Sequence, residues 1–312
     1  MTAAVVFSGQ GAQYAGMGRD LYNNFGVCRD MFDRAEEEAG FPLRSICFDD
    51  ANKERLNNTL YCQPCIYTHS AAAASLLNER GLKATCAAGL SLGEYTALWY
   101  SGALDFLRTL KLLCQRGRYM ADASSMVDGV MSAVIGLNDD KAQDACKEAS
   151  KGNEVVSVSN VNTLGQLVIS GARAAVERAE SLCKKIGAKI TVRLPVSGPY
   201  HTVYMRPAAD KLEDCLRDIP FEDMQLPVVS NVDGEVIKNK RNIVPTLVRQ
   251  ISATVNWADC VRKLSQLGAD TFIEIGPGKT LTGFIKKLLP GARVVNVDDA
   301  ASFDKACLEL GL

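Results

Sequence analysis

Between an apolar run, Ala84 to Ala88, and a stretch with helical spacing, Glu94 to Leu104, the chain places a serine bracketed by glycines: Gly89-Leu90-Ser91-Leu92-Gly93. No other segment constrains the fold as much. A short buried strand that turns sharply through glycines into a helix is the connection of an α/β protein, in which helices cover a mostly parallel sheet. The pattern recurs. Ala3 to Phe7, ended by Ser8-Gly9-Gln10-Gly11, reads as an edge-to-core strand that opens the chain, and Thr271 to Ile275 runs through Gly276-Pro277-Gly278 into a helix ending at Leu289. Cys65 to Leu77 and Val244 to Ile251 read as helices, and Leu226 to Ser230 and Arg293 to Val297 as strands.

The middle of the chain has a different order. Val130 to Leu137 reads as a strand, Asp140 to Ala149 as a helix, Glu154 to Ser159 and Gln166 to Ser170 as strands, Ala172 to Ile186 as a helix and Ala188 to Leu194 as a strand. That βαββαβ order predicts a small ferredoxin-like sheet with two helices on one face. It is complete in itself, so residues 128–197 are expected to form an inserted subdomain, bordered by Asp128-Gly129 and Ser197-Gly198-Pro199. Residues 1–127 and 198–312 then make one discontinuous catalytic domain.

Composition narrows the class of function. At 312 residues, 47% hydrophobic and 23% charged, the chain has enough apolar material for a sizeable core, which excludes a disordered or low-complexity protein. A net charge of -1 gives no overall attraction for nucleic acid or an anionic membrane. No stretch predicts a membrane span or a signal peptide. Eleven scattered cysteines, an odd number, fit a reducing cytoplasm better than a secreted disulfide framework. Cys62-Gln63-Pro64-Cys65 has no partner motif to complete a zinc site and reads as two small buried residues flanking a helix start. Two glycine-rich turns resemble nucleotide loops, and both break. Tyr14 stands where a dinucleotide loop needs its third glycine, and Ile273 where a P-loop ending in Gly278-Lys279-Thr280 needs its first.

The GxSxG segment has the context its chemistry requires. A serine hydroxyl is a weak nucleophile, so it must stand exposed on a tight turn beside a base and near backbone N–H groups aimed at a developing oxyanion. Strand, GxSxG and helix in a parallel sheet predict an α/β-hydrolase-like arrangement for the large domain. Only two histidines are available as base. His69 lies among alanines in a helix, where a packed role is expected. His201 follows Ser197-Gly198-Pro199-Tyr200 on a loop that re-enters the large domain, the better position for a base. On the helix Leu107 to Met120, Arg108, Lys111, Gln115 and Arg118 form one polar stripe at about 100° per residue, which turns Arg116 inward with Leu112 and Met120. A buried guanidinium must meet an interior carboxylate or the anionic group of a ligand.

Taken together, Gly9-Gln10-Gly11-Ala12-Gln13, Gly89-Leu90-Ser91-Leu92-Gly93-Glu94-Tyr95, Gln115-Arg116-Gly117-Arg118-Tyr119-Met120, Pro199-Tyr200-His201 and Ile275-Gly276-Pro277-Gly278 resemble the malonyl-CoA:acyl carrier protein transacylases of fatty acid synthesis. The resemblance covers nearly the whole chain, the insert included. It implies that Ser91 takes malonyl from CoA and that His201 is its base. It also implies that the backbone carbonyl of Gln250 orients His201, that Arg116 clamps the malonyl carboxylate, and that the N–H groups of Gln10 and Leu92 form the oxyanion hole. The implied partners are malonyl-CoA and acyl carrier protein, with no cofactor and no metal, in a cytoplasmic enzyme expected to be a monomer. One position departs from the family pattern: Leu90 precedes the nucleophile where many members carry His, which bears on acyl choice, whereas the bulk of Tyr200 should crowd an α-methyl branch. An acyltransferase serving polyketide synthesis, one with broader acyl choice, or a serine hydrolase such as a thioesterase shares parts of this pattern. The basic clusters Lys184-Lys185, Lys238-Asn239-Lys240-Arg241 and Lys286-Lys287 are candidates for docking an acidic carrier or CoA phosphates.

Overall fold

The computed structural model describes residues 2–196 and 198–312; Ser197, placed by the sequence at one border of the insert, lies outside the described residues. The chain opens with β1 (Ala3–Phe7) and four helices, α1 (Arg19–Asn24), α2 (Gly26–Ala39), α3 (Leu43–Phe48) and α4 (Lys53–Asn57). The long α5 (Thr59–Glu79), β2 (Ala84–Gly89), α6 (Leu92–Tyr100) and α7 (Phe106–Ser125) follow. The middle is β3 (Gly129–Ile135), α8 (Asp139–Ala149), β4 (Val156–Thr163), β5 (Gln166–Ala172), α9 (Arg173–Lys185) and β6 (Ile190–Arg193). The chain closes with α10 (Arg206–Arg217), β7 (Val228–Val229), α11 (Ile243–Ser252), α12 (Trp257–Gln266), β8 (Thr271–Ile275), α13 (Thr280–Leu288), β9 (Arg293–Val297) and α14 (Ala300–Leu310).

Two sheets result. The larger, ordered β7-β2-β1-β8-β9, is parallel throughout. All five residues of β1 are buried, the mark of a strand covered on both faces. Ala3, Val5 and Phe7 pack in one core with residues of α2, α5 and α7, while Ala4 and Val6 pack in another with Trp257, Val261 and Leu264 of α12 and Phe284 and Ile285 of α13. Period-two alternation thus splits a single apolar strand between two helical layers. The opening strand is central, with partners on both sides, and not the edge-to-core strand expected from the sequence. The smaller sheet, ordered β4-β5-β3-β6, is antiparallel and shares its own core with α8 and α9.

Local chemistry sets the boundaries that the sequence misplaced. α5 starts upstream of Cys65 because the Asn58 side chain caps it, accepting from Leu60 N at 2.9 Å. Cys62 and Cys65 therefore lie buried inside the helix and do not flank its start. α6 begins at Leu92, ahead of Glu94, and ends at Tyr100, before Gly102 turns to φ 83°. β7 is much shorter than Leu226 to Ser230: Pro227 has no N–H to give a neighbouring strand, and Ser230 N turns away to Glu235 O. No helix of the described residues is long and apolar enough to cross a membrane.

What matters for the site is where the strands end. β1, β2, β7 and β8 run in one direction, so Ser8 to Gln10, Ser91, Asn231 and Gly276 gather at one edge of the large sheet. The small sheet faces this edge with the side its helices leave uncovered. Met131, Ala133, Asn160, Asn162, Gln166 and Val168 line a cleft of about 240 Å³ opposite Gln10, Ser91 and His201. A bridge between Asn160 of β4 and Val255, just beyond α11, ties the small sheet to the segment leading into α12.

Candidate active site

Ser91 occupies the turn between β2 and α6 with φ 53°, and His201 has φ 59°; among the described residues these are the only non-glycine positions with positive φ. Strain of this kind persists only where surrounding contacts enforce it. The flanking glycines explain how Ser91 is forced there. A Cβ at Gly93 would lie 2.4 Å from the Phe7 carbonyl oxygen, one at Gly89 would lie 2.0 Å from Gly93, and one at Gly9 would lie 2.5 Å from the Leu90 carbonyl oxygen. The helix therefore crosses directly over β1, and the loop bearing Gln10 presses against the serine turn. Leu92, the first residue of α6, has a backbone N–H among the first-turn groups that no helical carbonyl can satisfy.

The imidazole meets this turn from the other side. His201 Nε2 lies 2.8 Å from Ser91 Oγ, and Nδ1 lies 2.9 Å from the backbone carbonyl oxygen of Gln250 on α11. A carbonyl only accepts, so Nδ1 carries the proton and Nε2 is free to receive the serine proton. Burial and then the Arg116 charge push His201 down to about 4, which keeps the imidazole neutral at physiological pH. The other histidine, His69, is fully buried in α5, its Nε2 2.7 Å from the Asp298 carbonyl oxygen. It is the packed residue the sequence suggested.

Arg116 faces inward, as its helical spacing predicts. It is 1% exposed and donates to three neutral oxygens: Gln63 Oε1 at 2.6 Å, Gln250 Oε1 at 3.0 Å and Ser91 Oγ at 3.1 Å. The guanidinium also lies over the Tyr95 ring, 5.2 Å from its centroid. Burial pulls it below the usual arginine range. No described carboxylate forms an ion pair with it, so a desolvated cation stands beside the serine with neutral partners alone, an arrangement suited to an incoming anion. Gly117 brings it there: a Cβ at that position would lie 2.7 Å from the Thr59 carbonyl oxygen, so α7 packs backbone to backbone on α5.

Ser91, His201, Gln250 and Arg116, scattered through the sequence, thus form one hydrogen-bonded cluster; Ser91 and His201 line the cleft together with Gln10, and Leu92 follows Ser91 at the start of α6. Four further residues escaped the sequence reading. Gln63 Nε2 donates to Thr59 Oγ1 at 2.9 Å, and Thr59 Oγ1 donates to Gln10 Oε1 at 2.8 Å, so a chain of polar groups runs from Arg116 to Gln10. Asn231 accepts from Ser91 N at 2.7 Å, and Glu94 accepts from Asn231 N at 2.9 Å. The available signal was polarity out of place: Gln63 sits in a helix of small and apolar residues, and Asn231 ends an apolar run. Lys287 of α13 donates to Gln166, a lining residue, at 3.0 Å, which brings Lys286-Lys287 to the cleft. Among the described residues no group of three or more His, Cys, Asp or Glu could hold a metal ion.

The chain as a whole is similar to known proteins. The family model described as "Acyl transferase domain" matches residues 4–302. The malonyl CoA-acyl carrier protein transacylase of Haemophilus influenzae is 40% identical over 303 residues, which cover 96% of this chain and 96% of the relative. That of Bacillus subtilis is 36% identical over 303 residues, covering 97% and 95%. Among solved structures, MCAT from Streptococcus pneumoniae superposes with a TM-score of 0.93 at 40% identity, covering 99% of this chain and 100% of that one. A malonyl-transacylase solved in complex with its type II PKS acyl-carrier protein superposes with a TM-score of 0.95 at 38% identity, covering 99% and 100%. The chain belongs to the acyl transferase family and, within it, to the malonyl CoA-acyl carrier protein transacylases.

Proposed function

We propose that this protein transfers malonyl from malonyl-CoA to the phosphopantetheine thiol of acyl carrier protein, through a malonyl ester on Ser91, in the supply of fatty acid elongation. The observation that carries the reading is the buried Arg116 guanidinium, 3.1 Å from Ser91 Oγ and without a carboxylate partner. A hydrolase of neutral esters has no use for a desolvated cation at its nucleophile; a donor ending in a free carboxylate does.

The Ser91, His201 and Gln250 geometry supports the following steps. His201 Nε2 takes the Ser91 proton as Oγ attacks the thioester carbonyl, and the Gln10 and Leu92 N–H groups receive the oxyanion. The tetrahedral adduct collapses, the carbon–sulfur bond breaks, and CoA leaves as a thiol with the proton from His201. The carrier thiol then gives its proton to His201 and attacks the Ser91 ester, and the serine recovers that proton as the carbon–oxygen bond breaks. The Gln250 carbonyl holds the imidazole by Nδ1 and supports the imidazolium where other serine enzymes use an acid. These steps need no cofactor beyond the two substrates.

The finer architecture belongs to the same reading. The order β4-β5-β3-β6 with α8 and α9 on one face supports a ferredoxin-like subdomain over residues 128–197, inserted between the two parts, 1–127 and 198–312, of an α/β-hydrolase-like domain. The cysteines, none of them in a disulfide, support a reducing, cytoplasmic setting. Leu90, Met120 and Tyr200 line the cleft beside Ser91 and would decide how strictly malonyl is chosen. Intact-mass measurement after mixing with malonyl-CoA, and separately with methylmalonyl-CoA and acetyl-CoA, tests the reading. A malonyl adduct lost in Ser91→Ala and discharged by holo carrier protein is expected; release of free malonate without an acceptor, at the rate of transfer, would overturn it.

A further inference from the structure

Behind the reacting atoms lies a buried carboxyl to which the transfer steps assign nothing. Glu94 Oε2 accepts two hydrogen bonds, from Asn231 N and from Gln250 Nε2, each at 2.9 Å. Asn231 passes the first on: its Oδ1 accepts from Ser91 N at 2.7 Å, and its Nδ2 donates to the Gly89 carbonyl at 2.8 Å. Gln250 passes on the second. Its Nε2 also donates to the Ser91 carbonyl at 2.9 Å, its Oε1 accepts from Arg116 at 3.0 Å, and its backbone carbonyl accepts from His201 Nδ1 at 2.9 Å. One side-chain amide therefore spans the buried cation and the buried carboxyl. The bonds that pin the strained serine backbone and those that aim the imidazole converge on the same oxygen.

We propose that Glu94 is a positioning residue for the transfer: acting through Asn231 and Gln250, its carboxylate holds Ser91 and His201 in reacting geometry and favours the imidazolium formed during attack. The proposal rests on the transferase reading above. An ionised acceptor binds N–H donors about twice as strongly as a neutral one, so the grip on both residues loosens when Glu94 takes up a proton. The charged and titratable groups facing it are Arg116 on α7, Asp233 in the turn after β7, Tyr95 on its own helix and Cys260 on α12. Burial outweighs the bonds from Asn231 and Gln250 and the Arg116 charge, and raises Glu94 to about 7. His201 titrates far lower, at about 4, so the two ionisations are separable.

The test is the pH profile of malonyl transfer between about pH 5.5 and 9, measured for wild type and Glu94→Gln, with thermal melts alongside. Wild-type kcat is expected to rise about tenfold through one ionisation near neutrality. Glu94→Gln, which keeps size and one acceptor oxygen, should give a flat profile near the wild-type acid level, with KM for malonyl-CoA changed less than about threefold. Three results would overturn the proposal: a flat wild-type profile, a Glu94→Gln profile that keeps the rise, or a variant that melts lower while its kcat matches wild type across the range. The wild-type profile decides even if the variant does not fold. Formation of the serine ester at pH 8 tests the transferase reading separately: no ester ends that reading, whereas an ester with a flat wild-type profile ends only the role of Glu94.

Discussion

At the scale of single residues, the site works by withholding partners. Arg116 makes its charge-assisted bonds to neutral oxygens and forms no ion pair with a described carboxylate, the property on which the proposed malonyl clamp rests. Arg116→Ala should lower kcat/KM for malonyl-CoA by about 100-fold or more, the loss of about 3 kcal/mol from two charged hydrogen bonds, while acetyl transfer falls far less. Competition between malonyl- and acetyl-CoA read by mass spectrometry checks this. His201 makes a second prediction. Its buried ring binds protons only near pH 4, whereas the unfolded chain binds them near 6.5. Its contribution to stability is therefore complete above pH 6.5 and lost as pH falls toward 4, about 3 kcal/mol in all. Glu94, raised from 4.5 to about 7, acts in the opposite sense, its contribution complete below 4.5 and lost as pH rises through 7. Melts of wild type and His201→Gln between pH 4 and 7 should converge as the pH falls if the wild-type ring is being forced to carry this cost. Sequence spacing made Arg116 visible because helical periodicity says which way a side chain faces. It could not show Glu94 or Asn231 in their roles, because a polar residue inside an apolar stretch reveals its partner only in three dimensions.

At the scale of elements, the glycines are what let backbones touch. Gly93→Ala would set a methyl 2.4 Å from the Phe7 carbonyl oxygen, which only a shift of α6 relieves. The expected cost is about 3 kcal/mol, read as a lowered Tm together with loss of ester formation. Gly117→Ala should act more locally. Pushing α7 away from Thr59 on α5 moves Arg116 relative to Gln63, so malonyl KM should rise more than acetyl KM, as steady-state kinetics with both donors will show. β8 and β9 are legible to the residue, as is β1, because each is a short stretch largely of apolar and β-branched residues closed by turn residues, wholly apolar in β1 and interrupted by Glu274 in β8 and Asn296 in β9. The helices α1 to α4, α10, α12 and α14 are absent from the sequence reading: α1, α3 and α4 are too short to display a helical period, whereas α10 and α12 do carry one, with Ala208, Ala209, Leu212 and Leu216 and with Ala258, Val261 and Leu264 on their buried faces.

At the scale of the whole molecule, two sheets with separate cores face one another across the cleft, and Lys287 reaches over to Gln166 at its rim. Replacing Lys286 and Lys287 by Glu should raise KM for an acidic carrier protein by about tenfold at low salt, with the difference shrinking as added salt screens it; equal KM values at low salt would remove this rim from the docking surface. The sequence by itself determined the α/β class, the separate strands and helices of the middle segment, the serine turn between strand and helix, and the inward-facing arginine, because strand and helix periods and glycine punctuation are properties of neighbouring residues. Only the tertiary structure decided that β1 is central, that Gln63, Thr59, Asn231 and Glu94 are hydrogen-bonded around Ser91, Arg116 and Gln10, and that Arg116 forms no ion pair with a described carboxylate. Each of those facts depends on which distant segments close packing brings within about 3 Å, and hydrogen bonding over such distances leaves no local period in the chain.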